Sequence, residues 1–322
     1  MRLPYCFCSG KNSKWVYYFR NYIRYAIPQF IYRLSLDHVL YKAMKRDDFS
    51  YIRERVEYYN KLDTPEKLPR NSSRLVEHRY GQREKQSVYF FDTYEFTRWF
   101  PQSMKWNHLP GDIVHVPENP CIVKSRPLDV DNKNSVLLNL DKIRHFTFLK
   151  DNIPFTEKEN KIIFRGKVGN KPRRELFMKK FIGHSMCDVG DVSKDPKIPQ
   201  EWKAPKMTLH EHFRYKFIMA LEGNDVASNL KWVMFSNSIA VMPKPTCETW
   251  FMEGKLLPDY HYIEIKKDYS DLIEKVNYYI RHEREALEII KHAHEYVSQF
   301  QDKQREKLIS LFVMKKYFEK TN

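Results

Sequence analysis

The stretch from Phe217 to Met242 limits the fold of this chain more than any other segment. It reads FIMALEGNDVASNLKWVMFSNSIAVM, in which two apolar runs of strand length flank a polar turn and a short amphipathic segment. This order predicts a strand, a turn, a helix and a second strand, the repeating unit of an open α/β sheet. Ligands of such sheets bind where the strands end, and the following helix adds unpaired N–H groups. We therefore predict a nucleotide-binding domain in the C-terminal half.

The polar turn EGNDVASN supplies the first candidate binding residues. Asn224 and Asp225 follow the predicted strand, while Ser228, Asn229 and Lys231 lie in the first turns of the predicted helix. Because the turn falls at the carboxyl end of a strand, we expect these residues to face a phosphate-bearing ligand.

A second candidate cluster lies in the string IIFRGKVGNKPRREL. Arg165 and Gly166 end a predicted strand, and Arg173 and Arg174 open the helix that follows. A guanidinium group binds two phosphate oxygens at once, because its paired N–H groups and its charge both suit them. We expect Arg165 to contact phosphate and leave open whether Arg173 or Arg174 contacts the ligand or faces solvent.

The C-terminal half continues with alternating apolar runs and amphipathic segments. Strands are predicted at 162–166, 238–243 and 260–265 and inside 210–223, with helices at 171–183, 226–237, 270–282, 284–299 and 303–320. Strand and helix alternating at this spacing predict an α/β fold with a parallel sheet.

Residues 14–46 combine aromatic side chains with positive charge. They include seven Lys or Arg and one acid, Asp37, and Pro28 predicts a break between helical segments. Such a segment suits an anionic bilayer surface, where aromatic rings insert and cations meet headgroups. It equally suits a helical hairpin packed on the first domain, and the two interpretations are compatible.

The remaining pattern sets the predicted domain boundaries. Between residues 87 and 140, apolar runs separated by prolines predict strands at 87–92, 112–116, 121–125 and 135–140. The polar stretch at 149–160 is the predicted linker. We expect a basic helical N-terminal extension (1–86), an acceptor-side domain (87–155) and a Rossmann-like nucleotide-binding domain (156–322) whose last helix is a candidate for packing on the first domain.

The net charge of +15 predicts an anionic partner, either a phosphorylated substrate, an anionic lipid surface or a nucleic acid. The sequence lacks the RNP pattern and zinc-finger spacing, so we do not expect nucleic acid. It also lacks an 18-residue apolar run and a signal-peptide region. Its five scattered cysteines, without C-x-x-C spacing, favour reduced thiols. We expect a cytoplasmic protein.

Several enzyme classes lose support because their motifs are missing. The chain contains no GxGxxG, GxxxxGK[ST] or GxSxG string, which disfavours NAD enzymes, P-loop NTPases and serine hydrolases. Asp129 and Asp131 have a D-x-D spacing that can hold Mn²⁺ or Mg²⁺. They lie in a hydrophilic loop, so we expect them to be solvated and predict no metal site.

A general base is expected in the first domain, facing the nucleotide across a cleft. Asp112 follows a Pro-Gly turn and is the preferred candidate, with Asp92 and Glu95 as alternatives. The nearby turn SRP adds Ser125 and Arg126 as candidate substrate-binding residues.

Several strings resemble glycosyltransferase family 90, and they occur in the order that the family has. The similarity is closest to its bacterial lipopolysaccharide branch; other relatives are capsule-associated proteins and protein O-glucosyltransferases. The matching strings are IVKSRP (122–127), NSVLLNLDKIRHF (134–146), FRG with an Arg pair (164–174), HFRYKFIMALEGNDVASNLKWVMFSNS (212–238) and ETWF…LLPDYHYIEI (248–265).

The resemblance implies a GT-B architecture, in which two Rossmann-like domains face a cleft and the C-terminal one holds the sugar nucleotide. It also implies inverting, metal-independent transfer from a UDP-sugar without a cofactor. Carried across by motif, Arg165 contacts the diphosphate, Ser228, Asn229 and Lys231 line the nucleotide pocket, and Glu248 holds the ribose. Asp112 matches the family base by position only. Eukaryotic members have Arg near the position of Asn229, so Lys231 or backbone amides would replace that contact.

We therefore expect a peripheral enzyme on the cytoplasmic face of the inner membrane. It would move a hexose from a UDP-hexose to a lipopolysaccharide core acceptor. The alternatives are a protein O-glycosyltransferase acting on Ser or Thr, and a non-catalytic basic module that binds membrane or nucleic acid.

Overall fold

The computed structural model describes residues 9–78 and 87–322, which form two compact units. The first comprises residues 9–12, 144–245 and 254–299, and the second comprises the described residues of 13–143, 246–253 and 300–322. We call them the five-stranded unit and the three-stranded unit, after their parallel sheets. This division differs from the predicted boundary at 155–156, because the chain returns to the second unit twice, and the predicted extension is no separate unit.

The helices of the described residues follow the chain in this order: α1 (Lys14–Ala26), α2 (Gln29–Met44), α3 (Phe49–Tyr59), α4 (Ser87–Thr97), α5 (Lys142–His145), α6 (Pro172–Phe181), α7 (Leu209–His212), α8 (Leu230–Met234), α9 (Leu272–Arg281), α10 (Glu283–Ser298) and α11 (Lys303–Thr321). The strands are β1 (Ser73–Arg74), β2 (Lys105–Trp106), β3 (His108–Leu109), β4 (Cys121–Val123), β5 (Ser125–Pro127), β6 (Ser135–Leu137), β7 (Glu159–Gly166), β8 (Cys187–Asp191), β9 (Tyr215–Met219), β10 (Ile239–Met242), β11 (Cys247–Thr249) and β12 (Ile263–Glu264).

The five-stranded unit contains a sheet in the order β12-β10-β9-β7-β8, and every neighbouring pair is parallel. Strands β9 and β10 are fully buried, as is the apolar centre of β7 at 162–164, because both faces of a parallel sheet are covered. The predicted unit from Phe217 to Met242 is confirmed as β9, α8 and β10. Sequence patterning missed β8, whose letters CDVGD contain no apolar run.

One apolar cluster holds the sheet to its helices. Helix α6 starts with Pro172, which suits a first helical position, and buries Phe177 against Phe164 of β7 with ring centroids 5.5 Å apart. Helices α9 and α10 add Leu272 and Ile289 to the same cluster. This packing fixes the start of α6 beside the end of β7.

The three-stranded unit is built on a parallel sheet in the order β3-β4-β6, with separate antiparallel pairs β1–β2 and β5–β11. The predicted strands at 121–125 and 135–140 are confirmed in part as β4 and β6. The strand predicted at 87–92 is wrong, because these residues belong to helix α4. Most of α4 is buried, and an all-round apolar segment does not reveal its period. The strand predicted at 112–116 is also wrong, because this segment is a loop after β3.

The basic aromatic segment forms helices α1 and α2, which confirms the helical prediction. They are separated at Ile27, which is extended, and Pro28, which is not helical, since proline cannot continue a helix from the preceding turn. Within the described residues, no helix is both long and apolar enough to span a membrane. Cys6 and Cys8, for which we predicted reduced thiols, lie outside the described residues.

Candidate active site

The carboxyl edge of the five-stranded sheet gathers polar side chains from two neighbouring strands. Strand β7 ends at Gly166 and leads into α6, whereas β9 ends at Met219 and leads into the turn at 220–229. Since β7 and β9 are parallel neighbours, their carboxyl ends meet at one edge. Parallel sheets bind ligands at this edge.

Arg174 lies at the centre of this edge. Its Nε donates to the carbonyl of Glu222 (3.1 Å), its Nη1 to that of Lys167 (3.0 Å) and its Nη2 to that of Leu221 (2.7 Å). A guanidinium group has five N–H donors, so these three contacts leave two for a further acceptor. Among the described residues, no carboxylate forms an ion pair with Arg174.

Electrostatics distinguish this arginine from an ordinary surface cation. Burial lowers the pKa of Arg174 to about 10, which leaves it positively charged at neutral pH. Carbonyl dipoles orient the group but do not neutralise it. The edge therefore presents a fixed, partly desolvated positive charge, and such a charge interacts with an anion more strongly than one in bulk water.

Two glycines let Arg174 approach the backbone. A Cβ atom at Gly166 would lie 2.8 Å from Phe164 Cζ and 3.4 Å from Arg174 Nη1, and one at Gly223 would lie 3.2 Å from Arg174 Nη2. The guanidinium group thus lies beside two positions without side chains. A ligand at this edge could therefore contact both the guanidinium group and the backbone at Gly166 or Gly223.

Further polar groups surround Arg174. Lys171 Nζ lies 3.2 Å from Asn224 Oδ1, and Arg173 forms an ion pair with Glu222. The Arg173 side chain is 52% exposed. Of the two arginines left open in the sequence analysis, Arg174 is the one held rigidly at the edge, while Arg173 lies at its exposed rim.

The predicted turn residues divide into exposed and buried positions. Asn224 and Ser228 are exposed, whereas Asp225 and Lys231 are buried. The side-chain amide of Asn229 donates to the carbonyl of Met219 (2.9 Å), which closes the turn. Asn224 is therefore the turn residue that the structure brings to the Lys171 side of the edge.

Arg165 lies apart from this group. Adjacent strand residues face opposite sides of a sheet, so Arg165 lies on the face opposite Phe164, whose ring is near Arg174. Its Nη2 is 2.5 Å from Asp188 Oδ1, and Tyr215 Oη donates to Asp188 Oδ2 (2.6 Å). Burial raises the pKa of Asp188, but these hydrogen bonds outweigh it and bring the pKa below its ordinary value. The diphosphate role of Arg165 stays a prediction.

Ser125, Arg126 and Glu248 lie in the three-stranded unit and are buried. Arg126 Nε donates to Glu248 Oε1 (2.7 Å), and its Nη2 donates to the carbonyl of Tyr58 (2.8 Å). Ser125 Oγ donates to the carbonyl of Ile113 (2.9 Å). Each residue thus has partners inside the fold, and their predicted ligand roles stay predictions.

Asp112 lies on the loop that follows β3, at the carboxyl edge of the three-stranded sheet. Lys124, which directly follows the neighbouring strand β4, is buried and forms an ion pair with Asp112, whose side chain is 22% exposed. Asn139, just after β6, has a buried side-chain oxygen without a hydrogen-bond donor among the described residues. Sequence analysis missed Lys124 and Asn139, although both follow apolar strand runs directly.

The alternative bases have other partners. Asp92 accepts a hydrogen bond from Tyr17 Oη (2.8 Å), and Glu95 pairs with Arg24 (2.8 Å). Both carboxylates connect α4 to α1. Asp129 and Asp131 are exposed, and the described part of the chain contains no cluster of three or more metal-ligating His, Cys, Asp or Glu.

Comparison with known proteins decides the family. Residues 140–315, more than half of the chain, match the model of glycosyl transferase family 90. The O-glucosyltransferase LpsA of Dichelobacter nodosus is 39% identical over 267 residues, which cover 83% of this chain and 82% of that protein. The chain belongs to glycosyl transferase family 90. This membership confirms the predicted resemblance and identifies this family 90 protein as a glycosyltransferase. The alternative of a non-catalytic binding module is therefore wrong.

More distant family 90 relatives match a shorter region. Protein O-glucosyltransferase 3 of Rattus norvegicus and that of Homo sapiens are each 28% identical over 138 residues, 42% of this chain and 27% of their own length. Within this family 90 glycosyltransferase, Arg165, Arg174 and the turn at 220–229 fall inside the region that the family model matches, 140–315, whereas Asp112 and Arg126 precede it.

Proposed function

We propose that this glycosyltransferase moves a hexose from a UDP-sugar to a hydroxyl of a lipopolysaccharide core, with inversion and without a metal ion. We further propose a GT-B arrangement and a peripheral position on the cytoplasmic face of the inner membrane. The hexose in the proposal is glucose, because the relatives named above are O-glucosyltransferases.

The observation that carries the donor half of this proposal is Arg174 between Gly166 and Gly223. A UDP leaving group gains negative charge on its β-phosphate as the bond to the sugar breaks. In a metal-independent reaction, fixed cations and N–H groups stabilise that charge. Arg174 offers two N–H donors and a positive charge that no carboxylate among the described residues neutralises, while Lys171 and Arg173 add cations nearby. One such preorganised contact lowers the barrier by about 3 kcal/mol.

Asp112 is the proposed base. Its carboxylate would take the proton from the acceptor hydroxyl while that oxygen forms a bond to the anomeric carbon and UDP leaves from the opposite side. The base accounts for a factor of about 100 to 10,000 in rate. The Lys124 partner supports this role because it holds the carboxylate in place, and the partial exposure of Asp112 gives an acceptor access.

The donor site is tested by calorimetric titration of UDP in the presence of EDTA. We expect Arg174→Met to weaken UDP binding by at least about tenfold, the loss of one charge-assisted hydrogen bond or more. Arg214→Met is the matched control, because Arg214 belongs to the same unit, is 64% exposed and pairs with Glu159. Equal UDP affinity in the parent and Arg174→Met would overturn the proposed donor site.

The base is tested separately. We expect Asp112→Asn to lower turnover by about 100-fold to 10,000-fold while UDP affinity stays unchanged, since the two groups serve different substrates. Asp92→Asn is the comparison variant, and its turnover should be that of the parent once the protein is folded. Loss of turnover in Asp92→Asn alone would transfer the role to Asp92.

A protein acceptor is the second candidate, favoured by the similarity to protein O-glucosyltransferase 3. UDP-glucose with a labelled sugar is offered to the enzyme with either lipopolysaccharide core oligosaccharide or a Ser- and Thr-containing polypeptide. Transfer to the oligosaccharide alone supports the proposal. Transfer to the polypeptide alone replaces the proposed acceptor and leaves the donor site intact.

A further inference from the structure

Helix α1 differs from the usual amphipathic helix of a globular protein, because its protein-facing side carries hydrogen-bonding groups as well as aromatic rings. Tyr17 Oη donates to Asp92 (2.8 Å), Asn21 is buried, and Arg24 pairs with Glu95 (2.8 Å). Tyr18, Tyr22 and Tyr25 pack on the rings of Phe90 and Phe91 of α4. These contacts hold α1 on α4 of the same unit. An ordinary surface helix exposes mainly polar side chains, whereas α1 exposes large apolar side chains as well.

The outward side of α1 is apolar, and the first turns of α2, the next helix in the chain, also expose apolar side chains. We name this surface the apolar ridge. Its side chains are 48–81% exposed. It consists of Trp15, Val16, Phe19 and Ile23 of α1 and Phe30, Ile31 and Leu34 of α2. Trp15 and Phe19 stack on each other with centroids 5.2 Å apart, so they form one continuous apolar area.

The ridge is not an average sample of this protein's surface. Of the nineteen large hydrophobic residues exposed among the described residues, eleven lie between Trp15 and Met44. The other eight are scattered over the rest of the described chain. Isolated exposed apolar residues are normal, but a contiguous patch marks a surface that another phase or partner covers.

Positive charge borders the ridge. The exposed cations of the two helices are Lys14, Arg20, Arg33 and Lys42, Lys45 follows α2 directly, and the helices contain one acid, Asp37. Rings of Trp and Tyr with flanking Lys and Arg are the composition that binds at the headgroup level of anionic bilayers. A protein partner for such a surface would have to match both the large apolar area and the surrounding cations.

We propose that the apolar ridge is a membrane-docking surface, on which α1 lies along an anionic bilayer with Trp15, Phe19 and Leu34 inserted at the headgroup boundary. The 13 residues of α1 span about 20 Å, less than a bilayer core of about 30 Å, so the helix would lie along the surface. The proposal does not depend on the donor sugar or the base, because docking needs neither substrate.

The test is co-sedimentation of the full chain with two kinds of vesicle, phosphatidylcholine alone and phosphatidylcholine mixed with phosphatidylglycerol, without UDP-sugar. The parent should bind the mixed vesicles, and less at high salt. The triple variant Trp15→Ser, Phe19→Ser, Leu34→Ser should lower the partition coefficient by at least about tenfold. The double variant Arg20→Gln, Arg33→Gln should lower it by about fivefold per charge on mixed vesicles only.

Leu257→Ser with Leu287→Ser is the matched control, because both residues are exposed and lie in the other unit; its binding should equal that of the parent. Thermal unfolding checks that the triple variant is folded, and Leu34→Ser alone replaces it if it is not. Parent-like binding by the folded triple variant overturns the proposal. The proposal is also overturned if the parent binds neither kind of vesicle and instead forms a dimer that the triple variant does not form. The ridge would then be an interface between two copies of the chain.

Discussion

Arg126 is buried in one unit and Arg174 is partly buried in the other. The two guanidinium groups differ in whether a carboxylate pairs with them. Arg126 meets the carboxylate of Glu248, itself buried, and three backbone carbonyls complete its contacts. Arg174 meets backbone carbonyls only. The first charge is cancelled inside the protein, whereas the second is oriented but kept. A cation of the second kind is available to an anionic ligand, and one of the first kind serves the fold.

Two carboxylates on α4 show the same difference. Burial raises the pKa of Asp92 to about 6, since Tyr17 and a Lys142 ammonium 3.7 Å away offset it only in part. Burial also acts on Glu95, but Lys142 at 2.6 Å and Arg24 outweigh it and bring the pKa to about 2. Close opposite charge therefore keeps a buried group ionised, and its absence shifts the group toward neutrality.

The largest effect is expected at the cancelled pair. Arg126→Met leaves Glu248 buried without its cation, and breaking a buried pair in this way costs about 3–5 kcal/mol of unfolding free energy. Urea unfolding followed by circular dichroism measures this loss. Arg174→Met is the matched variant, and it should lose only about 1 kcal/mol of unfolding free energy from its hydrogen bonds to backbone carbonyls, because no buried anion is stranded.

The double variant Arg126→Met, Glu248→Gln provides the control. Removing the stranded charge should restore at least half of the lost unfolding free energy, since a neutral amide costs less to bury than a carboxylate. If Arg126→Met and Arg174→Met lose equal stability, the distinction between a cancelled and a kept charge is wrong.

The sequence predicted the carboxyl-edge turn because the end of β9 and all of β10 are apolar and a polar turn lies between them. It could not choose between Arg173 and Arg174, because neighbouring helix residues differ by about 100° in direction and the phase of α6 is set by packing of Phe177. It could not pair Arg126 with Glu248, which are distant in the chain and meet only when β5 and β11 align. Helix α4 was missed because it is apolar on every side.

A smaller effect should appear in the pH dependence of stability. Asp92 has a folded pKa of about 6, above its ordinary value of 3.8, so the folded state binds its proton more tightly than the unfolded state does. Unfolding free energy should therefore rise by about 1 kcal/mol from this group as pH falls from about 7 to about 5. Glu95 acts in the other direction, but only as pH falls below about 4.5.

Asp92→Asn tests this window. Denaturant titrations at several pH values should show that the variant lacks the gain between about pH 7 and pH 5, while the loss at lower pH remains. The half-buried His261, whose pKa burial lowers to about 4, opposes the gain in both proteins, so the difference between parent and variant is the quantity that reports Asp92. A variant with the same pH profile as the parent would contradict the assignment.

The smallest effect should come from one methyl group beside the kept charge. In Gly223→Ala the new Cβ would lie 3.2 Å from Arg174 Nη2, so the guanidinium must move by a few tenths of an ångström. UDP affinity should fall by about two- to fivefold, under 1 kcal/mol, and stability should change by less than about 1 kcal/mol.

Gly183→Ala should show the converse. A Cβ atom at this position would have no neighbour within 4 Å, but the φ of +76° strains any residue other than glycine. It should lose about 1 kcal/mol of stability and keep parental UDP affinity. If Gly223→Ala binds UDP as tightly as the parent while Arg174→Met does not, the exact position of the guanidinium matters less than its charge.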